Sequence, residues 1–161
     1  MVSQRSDHPV GKMEREYPSW PIVSVGVVVR IRKGSLGKGN RVLLVRRGQE
    51  PRKGEWSIPG GAIELGETIR ETACREVQEE CGIEIEAGEL LDVIDAIYRD
   101  EKEQIRYHYV LIELDAEYLG GEIKVGSDIQ EARWVTREEL LKFDLPDKTL
   151  AVILKAFRKH V

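Results

Sequence analysis

Residues 61–83 read GAIELGETIRETACREVQEECGI, and the carboxylates inside this stretch set the reading of the whole chain. Thr68 followed by Glu71 forms a capping box, the reciprocal pairing that opens a helix. Gly82 suits the C′ position that closes one. Between these signals, at about 100° per residue, Glu76, Glu79 and Glu80 fall within an arc of ~100°. Like charges at i, i+3 and i, i+4 repel by a few tenths of a kcal/mol per pair. Glu79 and Glu80 also occupy the last turn, where the helix dipole disfavours anions. Conflicts of this kind concentrate at functional sites. A hard divalent cation would resolve this one, because Mg²⁺ takes oxygen ligands from a few carboxylates and keeps positions open for water and phosphate. An ordinary solvated acidic face would lie opposite the apolar stripe with Lys at i+4. Here the glutamate arc borders Val77, Cys74 and Cys81, with Glu71, Gln78 and Arg75 on the far side.

Outward from this helix, the β-branched run IVSVGVVVRI at Ile22 to Ile31 predicts a strand buried on both faces. Val42 to Val45 predicts its hairpin partner across the turn-rich KGSLGKGN. No Lys-Ser or Lys-Thr follows the glycines of that turn, so it reads as a hairpin loop rather than a phosphate loop. Residues 51–66 read as loop. Strands are expected at about 90–98 and 105–114, and near Ala132 to Val135. A second capping box, Thr136 to Glu139, introduces a short helix. Asp147 is expected to cap a final amphipathic helix with Leu150, Ile153, Leu154 and Phe157 on one face. The pattern implies an α/β fold in which a mixed β-sheet lies between helices.

Length suits one domain over residues 20–161, preceded by an irregular lead-in at 1–19 to which no function is assigned. A formal net charge of −4 argues against nucleic-acid polymers and anionic membranes, both of which demand a basic face. No apolar run approaches a membrane span, and no signal-peptide pattern opens the chain. Cys74 and Cys81, seven residues apart on one helix, lie roughly 10.5 Å apart, too far for a disulfide. Both are read as small buried apolar residues in a reducing compartment, so the cytoplasm is expected. His8, His108 and His160 lack metal-ligand spacing, and no Ser or Cys is paired with a base.

Gly61, then Glu67, then Arg75-Glu76-Val77-Gln78-Glu79-Glu80-Cys81-Gly82-Ile83 resembles a complete Nudix box, extended more loosely by Trp56-Ser57-Ile58-Pro59-Gly60-Gly61 and by the strand order over about 20–158. The resemblance implies a Nudix α/β/α sandwich and hydrolysis of a nucleoside diphosphate linked to another group. It further implies that Glu76, Glu79 and Glu80 bind Mg²⁺ or Mn²⁺, that the Gly60 carbonyl adds a ligand, and that Arg75 and Glu67 orient this set. For Arg75, an ordinary surface ion pair is the alternative. Arg46 and Arg47 close the second strand, where one of them can grip phosphate while the other points away. Trp56, Gly61 and Glu131 are further candidates for substrate contact. The general base is open between Glu79, Glu80 and an acid such as Asp128 or Glu131, and Asp128 is also a candidate ligand of the metal. Asp128 is equally readable as a turn residue after Gly126-Ser127.

Tyr107-His108-Tyr109-Val110, Gly120-Gly121-Glu122, Asp128 and Trp134 are similar to short ADP-ribose pyrophosphatases of this family. AMP and ribose 5-phosphate are then the expected products. The chain lacks the proline after the box found in longer ADP-ribose enzymes and the SQPWPFP-like tail of NADH pyrophosphatases. Alternatives are a MutT-like nucleoside triphosphate pyrophosphohydrolase and a non-catalytic nucleotide sensor. Tyr98, Tyr107, Tyr109 and Trp20 are possible stacking partners for a base, although strand aromatics are more often core. Related enzymes are often homodimers.

Overall fold

Three positions apart, Ile22–Ile31 is all valine and isoleucine, a composition that fits a pleated strand with no solvent face. The computed structural model, which describes residues 14–32 and 40–159, places it at the centre of a mixed sheet. The described elements run β1 (Ile22–Ile31), β2 (Arg41–Arg47), β3 (Trp56–Ser57), β4 (Gly60–Ala62), α1 (Ile69–Cys81), β5 (Glu84–Arg99), β6 (Ile105–Gly120), β7 (Ile129–Thr136), a 3-10 helix (Glu139–Lys142) and α2 (Asp147–Arg158). β1 runs parallel to β6 and antiparallel to β2 and β4, while β6 pairs antiparallel with β5. β2 also carries β3 and β7.

The alternation of side chains along β1 explains the two layers of core. Val25, Val27 and Val29 pack beneath Ala73, Val77 and Cys81 of α1. Val28 faces the other way, with Val42 and Leu44, onto Val152, Ile153, Ala156 and Phe157 of α2. Helices therefore cover both faces of the sheet, as expected.

A fork in the sheet makes room for a site. Among the described residues, β1 and β2 pair at Arg30↔Val42 and Ile31↔Arg41. At its other end β1 takes β4 as partner, through Ser24↔Ala62, Val25↔Gly61 and Gly26↔Gly60, while β2 pairs with β3 and β7.

The structure departs from the sequence reading in four places. Within 51–66, read as loop, the sheet captures β3 and β4, because open edges on β1 and β2 need backbone partners. β5 and β6 extend well past the expected 90–98 and 105–114, pairing from Arg99↔Ile105 to Glu84↔Gly120. Pro146, with φ −56°, takes the N-cap of α2, and Asp147 sits in the first turn, where the dipole favours an anion. Cys81 is buried, but Cys74 is exposed at the edge of the apolar stripe. Arg15, Glu16 and Tyr17 of the lead-in have partners: Tyr107 Oη donates to Glu16 at 2.6 Å, and Tyr17 Oη to Asp100 at 2.9 Å. The glycine-rich turn at 33–39, the first part of the lead-in (1–13) and His160 lie outside the described residues.

Candidate active site

Helix α1 is anchored at both ends by the devices its sequence encodes. Thr68 Oγ1 accepts from Glu71 N at 3.2 Å and Thr68 N donates to the Glu71 carboxylate at 2.7 Å, closing the capping box. At the other end Gly82 adopts φ +71° and donates to Gln78 O at 2.9 Å. Two exposed carbonyls of the last turn are met by the loop before β7: Lys124 N donates to Cys81 O at 2.9 Å and Gly126 N to Glu80 O at 2.8 Å. This clasp carries Asp128 to the helix, so its turn position and its place at the site are one feature.

Glycines let the sheet approach the helix. A Cβ on Gly61 would come within 2.6 Å of Glu76 Oε2 and closer still to its Cδ, so the Glu76 carboxylate lies directly on bare backbone. Gly60 N donates to Glu80 Oε2 at 3.1 Å. Glu79 is the exposed member of the trio.

Arg75 is no ordinary surface ion pair. Its Nε and Nη2 take the two oxygens of Glu67 at 2.5 and 2.9 Å, in the planar bidentate geometry that only a guanidinium provides. Nη1 donates to Glu76 at 2.8 Å and to Glu79 at 3.2 Å, and Nη2 reaches Ala62 O at 3.1 Å. The expected far-side position of Arg75 does not hold: at i, i+4 from Glu79 it lies only about 40° away on the wheel, and its long side chain reaches the carboxylates directly. Glu67 is itself held by Glu64 N at 3.0 Å and by Thr72 Oγ1 at 2.8 Å. The Arg75 guanidinium, followed by the Glu64 amide, keeps the Glu67 carboxyl down near 2.

The inner carboxylates move oppositely. Burial pushes the Glu80 carboxyl up to about 8, despite the Gly60 amide, and neighbouring Glu76 and Asp128 add to the rise. Burial raises Glu76 as well, against the pull of Arg75. Two carboxyls that resist ionisation, packed on one helix face, are the electrostatic signature of a place built for added positive charge.

They open into a cavity of about 360 Å³ at the fork between β1 and β2, lined also by Arg47, Trp56, Gly60, Gly61 and Asp128. Strand alternation separates the two arginines as expected. Arg47 faces this cavity, with Nε on Pro51 O at 2.8 Å. Arg46 faces a second cavity, of about 540 Å³, and donates to Gly54 O at 2.9 Å. Glu131, the register partner of Arg46, goes with it and pairs with Arg133, so it stands apart from the carboxylates. Trp56 borders both cavities and packs edge-on against Phe143 at 5.0 Å. Tyr98 and Tyr109 line the carboxylate cavity, whereas Tyr107 is buried on Glu16 and Trp20 is exposed outside it.

Several lining groups escaped the sequence reading. Gln49 donates to Asp128 Oδ1 at 2.6 Å and accepts from Arg15 at 3.0 Å, bringing a lead-in cation to the rim. Glu113 lies in the wall from mid-strand β6. A charge amid the apolar run of β6 was the one available signal; Arg15 had none.

The NUDIX domain family model matches residues 20–156. The chain belongs to the Nudix family. It is 37% identical over 109 residues to the ADP-ribose pyrophosphatase of Methanocaldococcus jannaschii, a match spanning 68% of this chain but only 62% of that relative's length. It is 33% identical over 98 residues to the nucleoside triphosphatase NudI of Escherichia coli, over 57% of this chain and 69% of the relative. Among solved structures, the MutT protein of Methanosarcina mazei Go1 superposes with a TM-score of 0.67 at 28% identity, covering 88% of this chain and 96% of that one. The NUDIX domain of Shewanella oneidensis NrtR, in complex with ADP ribose, shares the fold with a TM-score of 0.69 at 21% identity, covering 88% and 90% of the two chains.

The Nudix carboxylates can be tested as metal donors on their own geometry. Among the described residues no three His, Cys, Asp or Glu side chains gather closely enough to cage an ion. Arg75 instead draws Glu76 and Glu79 toward itself. An open site fits better: Glu76 and Glu80 are oxygen donors destabilised by burial, beside a cavity with room for water and phosphate. Mg²⁺, which keeps several waters and uses one or two carboxylates, matches that set.

Proposed function

We propose that this Nudix protein is an enzyme, a divalent-cation-dependent hydrolase that cleaves the diphosphate of a nucleoside diphosphate linked to a second group, with ADP-ribose cut to AMP and ribose 5-phosphate. The observation that carries the reading is the Glu76–Glu80 pair, desolvated and raised in pKa, opening beside Arg47 into a nucleotide-sized cavity. Similarity to a relative named ADP-ribose pyrophosphatase supports the substrate.

In this reading Glu76 and Glu80, with the Gly60 carbonyl, hold the cation and Glu79 completes the set. When bound, Mg²⁺ or Mn²⁺ neutralises the diphosphate and acidifies the attacking water. The chain's own groups do the rest. Arg47 binds phosphate oxygens from β2, as a guanidinium does bidentately. Glu67 fixes Arg75, and Arg75 fixes Glu76 and Glu79, so the carboxylates are positioned before substrate arrives. Asp128, oriented by Gln49, and exposed Glu79 are placed to take the proton from water. No group in this arrangement is set up to form a covalent intermediate. The substrate is a small nucleotide rather than a polymer, and the reaction is assigned to the cytoplasm; among the described residues no helix is long and apolar enough to cross a membrane.

Similarity to NudI and to a MutT protein favours one second reading, pyrophosphohydrolysis of nucleoside triphosphates. Incubation with Mg²⁺ and a panel of ADP-ribose, nucleoside triphosphates, dinucleoside polyphosphates and NADH, with products weighed by mass spectrometry, separates the two. AMP with ribose 5-phosphate is expected. Release of diphosphate from triphosphates alone would establish the second reading, and turnover of nothing would leave a nucleotide sensor. Glu80→Gln should lose activity, and equal turnover by both proteins would eliminate Glu80 as a cation ligand.

A further inference from the structure

Glu113 is a buried carboxyl in the cavity wall that the proposed chemistry leaves idle. It is 6% exposed, and among the described residues its Oε2 has no hydrogen-bond partner. Unsatisfied buried oxygens are costly and uncommon in folded proteins, so each calls for an explanation. Burial, with the nearby Asp92 carboxylate, pushes the group up to about 7. The fold makes space for it nonetheless. Gly26 is its register partner on β1, and a Cβ at 26 would come within 2.8 Å of Glu113 Cδ and 3.1 Å of its Oε1. Gly26 thus lets the carboxyl lie against bare backbone, as Gly61 does for Glu76.

Its position relative to the cation ligands is defined by the sheet. Gly60, Gly26 and Glu113 are successive register partners across β4, β1 and β6. With strands ~4.8 Å apart, the Glu113 backbone stands roughly 10 Å from Gly60, and its carboxyl reaches back over Gly26, one strand from Gly60, whose amide holds Glu80. Arg47 and Arg15 also line this cavity and are the groups that suit phosphate. A carboxyl suits the opposite chemistry: whether neutral or ionised it offers an acceptor oxygen, and it repels phosphate when ionised. Gly26 and Gly60 leave the backbone beside the Glu113 carboxyl without side chains of its own, a flat surface that suits a planar ring better than a puckered sugar.

We propose that Glu113 is a specificity residue that accepts a hydrogen bond from an exocyclic amino group of the substrate's nucleobase. The inference rests on the nucleotide-hydrolase reading and names a feature of its substrate. A protein site built to bond an amino group rejects the analogue that lacks it, because the buried acceptor is then left unpaired.

The test is calorimetric titration of the full chain in Mg²⁺ with two pairs of product-like nucleotides. AMP is compared with purine riboside 5′-monophosphate, and GMP with IMP, each pair differing in the amino group. The wild type should bind the amino-bearing member of at least one pair about tenfold more tightly. Glu113→Met should abolish that preference by weakening the amino-bearing nucleotide alone. It should also melt at a higher temperature, since it replaces an unpartnered carboxyl with an apolar side chain of similar length. Glu113→Gln, which keeps a carbonyl acceptor, should retain part of the preference and serves if the Met variant does not fold. Equal affinities in the wild type, undetectable binding of all four, a preference that survives in Glu113→Met, or a uniform loss across each pair, as a ribose contact would give, each overturns the proposal. ADP-ribose hydrolysis is followed separately. Amino preference without turnover refutes only the hydrolase reading, and turnover without amino preference refutes only the role of Glu113.

Discussion

The Glu80 carboxyl makes the metal-free protein sensitive to pH in a direction opposite to the usual one for a folded protein's acids. An unfolded chain releases this proton near 4.5, whereas burial keeps it on the folded protein until about 8. Between those values the folded state holds more protons than the unfolded state, so stability falls as pH rises and levels off above 8. At 1.36 kcal/mol per pH unit, the loss attributable to Glu80 approaches about 5 kcal/mol, a large part of a small domain's total stability. Urea unfolding in EDTA at a series of pH values from 5 to 9 measures it. The wild type should lose stability steadily across the series. Glu80→Gln, whose amide oxygen still accepts from Gly60, should lose much less and be the more stable protein at pH 8. A residual slope should persist in the variant, since burial raises Glu76 and Glu113 too. Mg²⁺ should stabilise the wild type at pH 8 and leave Glu80→Gln nearly unchanged, because a cation favours the ionised carboxylate. Parallel stability curves for the two proteins in EDTA would refute the assignment of a desolvated, repelled carboxyl at position 80.

Gly61→Ala should reduce kcat/KM about a hundredfold while the fold persists, because its methyl displaces the Glu76 carboxylate by an appreciable fraction of an ångström or more and a 1 Å misplacement costs that much; steady-state kinetics with normal far-UV dichroism would show it, and wild-type turnover would contradict the close approach. Thr68→Ala should lower unfolding free energy by about 1 kcal/mol through loss of the cap, read from urea midpoints. Asp115→Ala should cost about 3–5 kcal/mol, since it strands Arg30, whose bidentate bonds to Asp115 at 2.7 and 2.6 Å lie in the core; a change no greater than that of an exposed ion pair would show the pair to be solvated.

What the sequence disclosed depended on whether the signal was local. The cap at Thr68, the αL glycine at 82 and the two-faced burial of β1 are written in neighbouring residues, and each appears in the structure where periodicity put it. β3 and β4 were read as loop because nothing within WSIPGGA alternates over a useful length; they become strands only where the fork between β1 and β2 offers them partners. Arg75 shows what a helical wheel leaves open: it sits one turn before Glu79, but the Glu67 carboxylate and Ala62 carbonyl that fix its guanidinium lie outside the helix, before it in sequence. Glu131 shows the limit of sequence proximity: three residues from Asp128, it follows the strand's alternation into another cavity.

The cluster's chemistry explains why local rules fail at α1. Arg75 offsets the mutual repulsion of Glu76 and Glu79, whereas Glu80 is supported by the Gly60 backbone amide and, at longer range, by the Arg47 charge. The cost of crowding is thereby concentrated on a single buried carboxyl. Such a group is poised for a divalent cation: binding that removes the Glu80 proton also removes the destabilisation, so cation affinity should rise as pH rises toward 8. Measuring Mg²⁺ affinity calorimetrically at pH 6 and pH 8 tests this coupling, with tighter binding and fewer released protons expected at the higher pH. Affinity independent of pH would mean that the proton on Glu80 and the cation do not compete, and would move the cation to Glu79 and Asp128.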